Sequence, residues 1–416
     1  MELRSSLTAG ALLLVLSAPA WAQPAKAPAN DDCLVCHAEP STTRGSGQPV
    51  VVQPEKYAAS VHGPLACVGC HQDLAKVTEF PHPEKLAKVS CAGCHDEATS
   101  KYDLGVHARA RRADPASPAA TCVDCHTAHE IKPAADPTST TYKLNLAATC
   151  ARCHADAAVI SRRIEAGNVP ATFRDSIHGQ ALEKAGLVVA PSCGDCHRTH
   201  DILLKVDRQS PVHRTNVPAT CGTCHAGVKQ AFGASIHGVA LARSMPSAPS
   251  CHTCHTAHGI RRTELEGWQL GAVEECGTCH AEALRTYRDT FHGQVQALGF
   301  ARIAKCADCH TSHDIHPTED PRSSVSSGKL VATCRQCHPS ATENVLGYDP
   351  HADKRDPVRS PHVYYTAQFM NVLLAGVFTF FGLHTTLWFW RGFREQKTPA
   401  APKQEAREDD DRGAAE

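Results

Sequence analysis

Apolar positions are unevenly spread along this chain. Leu7–Leu16 is a short apolar run behind Arg4, closed by the small-residue stretch Ala20-Trp21-Ala22. A charged start, a short apolar centre and a small-residue end predict a secretory signal over 1–22, too short to span a bilayer. Val363–Trp390 differs: it runs 28 residues without Asp, Glu, Lys or Arg, enough to cross a hydrocarbon core. Tyr364 and Tyr365 at one end and Trp388 and Trp390 at the other predict interfacial belts, and Arg391, Arg394 and Lys397 predict a cytoplasmic C-terminus over 391–416. Between these stretches no run alternates convincingly as strand. Short helices are predicted at Asp156–Gly167, His178–Gly186, Val228–Ser235 and Ala281–Leu298, joined by Pro-rich loops such as Ala113–Ala119 and Ser244–Pro249. The expected fold class is mainly α with little regular structure, ending in one C-terminal transmembrane helix.

The weakly patterned middle is dominated by one unit, Cys-x-x-Cys-His, written eleven times. The units are Cys33, Cys36, His37; Cys67, Cys70, His71; Cys91, Cys94, His95; Cys122, Cys125, His126; Cys150, Cys153, His154; and Cys193, Cys196, His197. They continue with Cys221, Cys224, His225; Cys251, Cys254, His255; Cys276, Cys279, His280; Cys306, Cys309, His310; and Cys334, Cys337, His338. All 22 cysteines are used, so none remains for a disulfide or a nucleophile. Four-cysteine zinc sites take such units in pairs. Here the number is odd, and His follows every time, which zinc does not require. The pattern is that of covalent c-type haem attachment: two thiols add to the vinyl groups and the adjacent His becomes an axial ligand. Eleven covalent haems c are expected. Export through the signal fits, placing the haem region in the periplasm.

Around the units runs a larger repeat. After a linker and first haem over 23–60, five two-haem repeats are expected over 61–345, then a juxtamembrane linker over 346–362 and the transmembrane helix over 363–390. Each repeat opens on a His (His62, His107, His178, His237, His292). Four have the form Ser/Thr-x-His-Gly, whereas the second reads Gly105-Val106-His107-Ala108. In repeats two to five the first Cys-x-x-Cys-His extends to His-x-x-His-x-Ile, supplying His129, His200, His258 and His313. In repeat one Gln72-Asp73-Leu74 stands there instead, and His82 is the nearest substitute.

A proximal His and the His three residues on are expected to share one side of a helical turn, so the second must serve a neighbouring haem. Likewise 281–293 reads as a helix, and twelve residues of it span about 18 Å, so His292 must serve a haem other than that of His280. With His351 after the last unit, the distal candidates number eleven. His213, His252, His316, His362 and His384 are left over.

Composition then narrows the chemistry. The chain has 27 His and only three Met, so the irons are expected to be bis-histidine, with low potentials. Aromatics are 5% of the chain, against 27 Gly and 27 Pro; the macrocycles are expected to form the core. The formal net charge of −1 says little about partners, since two propionates per haem would add to it, and no basic patch suggests nucleic acid.

The tandem units with Ser-x-His-Gly and His-x-x-His-x-Ile resemble those of class III-type multihaem cytochromes c of respiring bacteria, over about residues 30–345. The terminal anchor is similar to that of members paired with a membrane-embedded b-type cytochrome in quinone-linked chains. The resemblance implies an electron conduit with no catalytic residue, between a b-type cytochrome or quinone-oxidoreductase subunit and a periplasmic redox partner. His384 lies within the apolar stretch and would contact a b-type haem or quinone of that partner. Ala375, Thr379, Gly382 and Thr386 form a separate small-residue stripe suited to helix packing. The competing enzyme reading is a reductase of nitrite, tetrathionate or sulfite, which needs one open iron. A filament-forming role fits the membrane anchor poorly.

Overall fold

The computed structural model describes residues 27–158 and 168–397. The signal expected over 1–22 and most of the helix expected over 156–167 lie outside the described residues. Those described are mainly helical, with no strand beyond one isolated bridge between Thr43 and Pro49. The chain divides into two compact units, Met1–Arg262 and Thr263–Glu416. Among the described residues only twelve apolar side chains are buried, and six of them are Ala.

Helices are short because each carries little more than one motif. Cys122–His126, Cys193–His197, Cys251–His255 and Cys306–His310 are five-residue helices. In three of them the Asp between the cysteines starts the turn. Asp124, Asp195 and Asp308 accept the backbone N–H of Thr121, Ser192 and Lys305 at 2.6, 2.7 and 2.8 Å, satisfying donors that a helix start leaves free. All four helices stop at their His. The next residues, Thr127, Arg198, Thr256 and Thr311, have φ of 68°, 63°, 63° and 65°, a left-handed conformation costly for side chains with a Cβ. The proximal His and the His three residues later therefore do not share a helical turn, contrary to expectation; the helix ends between them.

In repeats two to five the opening histidine sits at the start of a second short helix packed back on the first. Ser176, Ser235 and Thr290 accept the N–H of Gly179, Gly238 and Gly293 at 3.0, 3.1 and 3.1 Å. Their hydroxyls donate to the carbonyls of Phe173, Phe232 and Tyr287 at 2.6, 2.7 and 2.6 Å. Thr290, with ψ 162°, thus breaks the helix expected over 281–298 into Ala281–Asp289 and Phe291–Ala297. The helix expected over 178–186 begins at Ile177 and continues as a π-turn over Gln180–Lys184. The one expected over 228–235 is seen as Ala226–Ala234.

Glycine after the opening His is a packing requirement. A Cβ at Gly179, Gly238 or Gly293 would lie 2.1, 2.0 or 2.1 Å from a backbone carbonyl oxygen. Repeat two departs because its close approach has moved: a Cβ at Gly105 would lie 2.9 Å from the His200 carbonyl oxygen. Gly238→Ala should therefore cost about 1–3 kcal/mol. Gly233→Ala, in the preceding helix with open space around it, should be neutral or stabilise by about 0.5–1 kcal/mol. Thermal unfolding of the two purified variants compares them, and equal effects would refute the packing account.

A turn module recurs between the two motifs of repeats two, three and five. Ser139, Ser210 and Ser323 are buried and donate to the carbonyl seven residues back. Thr149, Thr220 and Thr333, each just before a motif, donate to Thr140, Pro211 and Ser324 carbonyls at 2.6, 2.7 and 2.7 Å. Within the first unit, successive repeats dock through main chain. The N–H of Val61, Val106 and Ile177 donates to the carbonyl of Ile131, Ile202 and Ile260 at 2.9, 2.8 and 2.8 Å. Each donor precedes an opening His, and each acceptor is the Ile of His-x-x-His-x-Ile in the following repeat.

The second unit ends in the helix Pro361–Lys397, about 55 Å long at 1.5 Å per residue. Over Pro361–Glu395 its most apolar window has mean hydropathy 1.6 and none of that window is buried. It is long and apolar enough to cross a membrane.

Candidate functional site

The structure brings histidines together in pairs. His37 faces His82, with ring centres 6.1 Å apart. His62 faces His95 at 5.9 Å, His71 faces His129 at 6.4 Å, and His107 faces His154 at 6.3 Å. His126 faces His200 at 6.1 Å, His178 faces His225 at 6.2 Å, and His197 faces His258 at 6.0 Å. In the second unit His292 faces His338 at 6.0 Å and His310 faces His351 at 6.2 Å. His237, His255, His280 and His313 are also engaged in interactions of their own.

Every pair joins one Cys-x-x-Cys-His histidine to one that is not. The register is regular. An opening His faces the second motif of its own repeat, as in His62/His95, His107/His154, His178/His225 and His292/His338. An internal His faces the first motif of the preceding repeat, as in His129/His71, His200/His126 and His258/His197. His107 keeps this register despite its altered context.

The spacing is uniform. A metal–imidazole bond of about 2.0–2.1 Å plus about 1.1 Å from nitrogen to ring centre puts two trans imidazoles about 6.2 Å apart. The observed pairs bracket that value. Among the described residues no three His, Cys, Asp or Glu groups converge as a chelating cluster. Each site therefore offers two imidazoles and no further protein ligand set, a donor number that suits a metal whose other ligands come from a macrocycle.

Ring orientation agrees. His37 Nδ1 lies 2.8 Å from the Val50 carbonyl and His82 Nδ1 2.9 Å from the Pro83 carbonyl. A carbonyl only accepts, so Nδ1 carries the proton and Nε2 keeps its lone pair. Burial, and then the partner ring's charge, push His107, His126, His178, His197, His292 and His310 below the ordinary imidazole range. The neutral, ligating form is thereby favoured. The Thr127 and Thr311 hydroxyls, next to His126 and His310, are buried without a protein partner. An open cleft lined by Val52, Thr127, His129 and Glu130, among others, lies beside the His71–His129 pair.

The cysteines are all free thiols and order the motifs in space. Thiols close enough to shift one another's acidity are Cys67 and Cys33, Cys91 and Cys122, Cys150 and Cys193, Cys251 and Cys221, and Cys306 and Cys276. Close enough for mutual electrostatic influence are Cys70 with Cys91, Cys125 with Cys150, Cys196 with Cys221, and Cys309 with Cys334. Within each unit, motifs adjacent in sequence are thus adjacent in space.

Some supporting residues escaped the sequence reading. Tyr57, Tyr102 and Tyr287, five residues before an opening His, donate their hydroxyls to the Leu65, Ala120 and Ala304 carbonyls at 2.7, 2.7 and 2.8 Å. Each acceptor lies two residues before a motif cysteine, so the Tyr joins the opening His to the next attachment site. The aromatic recurrence at that position (Phe173 and Phe232 in the others) was the available signal.

The leftover histidines have other surroundings. His316 is buried and pairs with Asp314 at 2.8 Å, and His213 Nδ1 lies 2.8 Å from the Thr215 hydroxyl. Burial pushes His252 down, with Arg214 adding to the effect. His362 and His384 lie on the C-terminal helix, where the His384 ring stacks 6.5 Å from Phe380. The Thr386 hydroxyl donates to the Gly382 carbonyl at 2.8 Å, within its own helix. Compared with family models, curated proteins and solved structures, the chain gives no match.

Proposed function

We propose that this protein is a membrane-anchored electron-transfer protein carrying eleven covalent haems c, each held between two histidines. The observation that carries the reading is the set of nine imidazole pairs at 5.9–6.4 Å, each with one member in a Cys-x-x-Cys-His. When bound, haem c supplies reversible one-electron chemistry at iron, at low potential with two His ligands.

The chain's own residues do the rest. The cysteines would fix each macrocycle, and the paired histidines would hold its iron. Carbonyls at Val50 and Pro83 hold their rings in the ligating tautomer, as is usual for metal-bound His. Motif adjacency in chain order makes the sites a row within each unit, so transfer needs no moving part. Filled axial positions leave no iron open to an oxyanion, which disfavours the reductase reading. The C-terminal helix anchors the row, with Arg391, Arg394 and Lys397 on the cytoplasmic side and the haems in the periplasm. The donor is a quinone-linked membrane subunit and the acceptor a periplasmic redox protein.

Mass spectrometry with EPR and resonance Raman of the oxidised protein tests this. Eleven haems, all low-spin and six-coordinate, are expected. A high-spin haem whose spectrum shifts with nitrite or sulfite would overturn pure transfer, and a haem-free mature chain would overturn the reading altogether.

A further inference from the structure

Inside the array, the first motif of a repeat is faced by a His of the next repeat: His71 by His129, His126 by His200, His197 by His258. The fifth repeat has no successor. Its His310 is faced instead by His351, from the segment that leads into the membrane helix. That segment is not a loose linker. Arg285 and Asp353 form a two-pronged ion pair at 2.7 and 3.4 Å, with Asp353 only 6% exposed. Lys354 pairs with Asp289 at 2.8 Å and Arg359 with Glu282 at 3.6 Å. All three basic–acidic pairs join 353–359 to the one helix Ala281–Asp289.

Asp353 has a telling position. Two residues after each internal His stands the Ile whose carbonyl docks the preceding repeat (Ile131, Ile202, Ile260). Two residues after His351 stands Asp353, so a carboxylate–guanidinium pair takes the place of main-chain docking. The ring is also set from that helix. Thr286 is 2% exposed, and its hydroxyl lies 3.1 Å from both the Glu282 and Ala283 carbonyls. It also lies 3.0 Å from His351 Nδ1, which engages that nitrogen and leaves Nε2 as the one free to ligate.

We propose that 348–360 is a capping half-repeat that closes the haem array. In it Arg285 and Thr286 are positioning residues: they lock Asp353 and His351 so that His351 completes the iron of His310. Terminal caps are the general need of repeat arrays. This cap runs directly into the helix beginning at Pro361, so the last shared ligand lies ten residues before the apolar helix starts. The proposal rests on the bis-histidine haem reading above.

The test uses full-length protein in detergent, with haem counting, EPR and resonance Raman on wild type, His351→Gln, Arg285→Gln, Arg285→Lys and Thr286→Val. Wild type should be wholly low-spin. His351→Gln should turn one haem in eleven high-spin with the haem count unchanged. Arg285→Gln should do so partially, and Arg285→Lys, which keeps the charge, should recover most of the low-spin signal. An Arg285→Gln spectrum identical to wild type, beside a one-haem change in His351→Gln, would overturn the lock. A wholly low-spin His351→Gln would overturn the cap itself. Should Arg285→Gln not accumulate, the near-isosteric Thr286→Val reads the same site: a partial one-haem change supports the cap, and no change overturns it. Wild type lacking haem would instead defeat the underlying reading.

Discussion

On the proposed haem reading, residues 27–360 made without haem attachment should fail to fold. A chain this long ordinarily closes on a large apolar core, yet only twelve apolar side chains are buried among the described residues, half of them Ala. Four motif helices are only five residues long, whereas isolated helices below about 12–15 residues are marginal in water. Their caps contribute about 1 kcal/mol each, too little to order the Gly- and Pro-rich chain between them. The paired imidazoles stand one metal's width apart and so gain little from each other directly. Far-UV circular dichroism and hydrogen exchange of the reduced, haem-free chain should show no cooperative transition and little amide protection. Reductant matters, because contacts such as Cys33–Cys67 and Cys150–Cys193 would oxidise. A cooperatively folding haem-free chain would contradict the idea that macrocycles form the core.

The second large effect should appear far from its mutation in sequence. His200→Gln should leave one haem in eleven high-spin, and that haem should be the one at Cys122, Cys125 and His126. The iron of His197, three residues away, should stay low-spin, because its second imidazole comes from His258. EPR spin counting measures the first part. The location follows from combining His200→Gln with Cys122→Ala and Cys125→Ala, which removes that haem. There the added substitution should produce no high-spin signal. A high-spin haem in the combined variant would mean that His200 serves another iron and would break the register seen in the first unit.

Much of the candidate site is legible in the chain because its chemistry is local. Cys-x-x-Cys-His needs no tertiary contact to be recognised, and Ser-x-His-Gly records two short-range needs: a hydroxyl to cap a helix and room beside a carbonyl. His82 and His351 could be singled out only by elimination, yet both stand opposite a motif histidine. The path between histidines was less legible. The left-handed turn at Thr127 was hidden, since β-branched residues seldom adopt it and nothing in the composition signals it. The break at Thr290 was hidden too, because 281–298 has a helix-forming composition and a single hydroxyl outweighs it. Gly105 and Ala108 looked like a damaged motif until the His200 carbonyl showed why glycine had moved.

The sequence by itself determined which residues are available for attachment and ligation, the repeat length, and the apolar span at the end. These follow from residue type and spacing. Which histidine faces which, and how Arg285 and Asp353 turn an apparent linker into a cap, only the tertiary structure decided. Each pair draws its two rings, about 6 Å apart, from separate segments of the chain, and which segments meet is set by packing and not by spacing along the sequence.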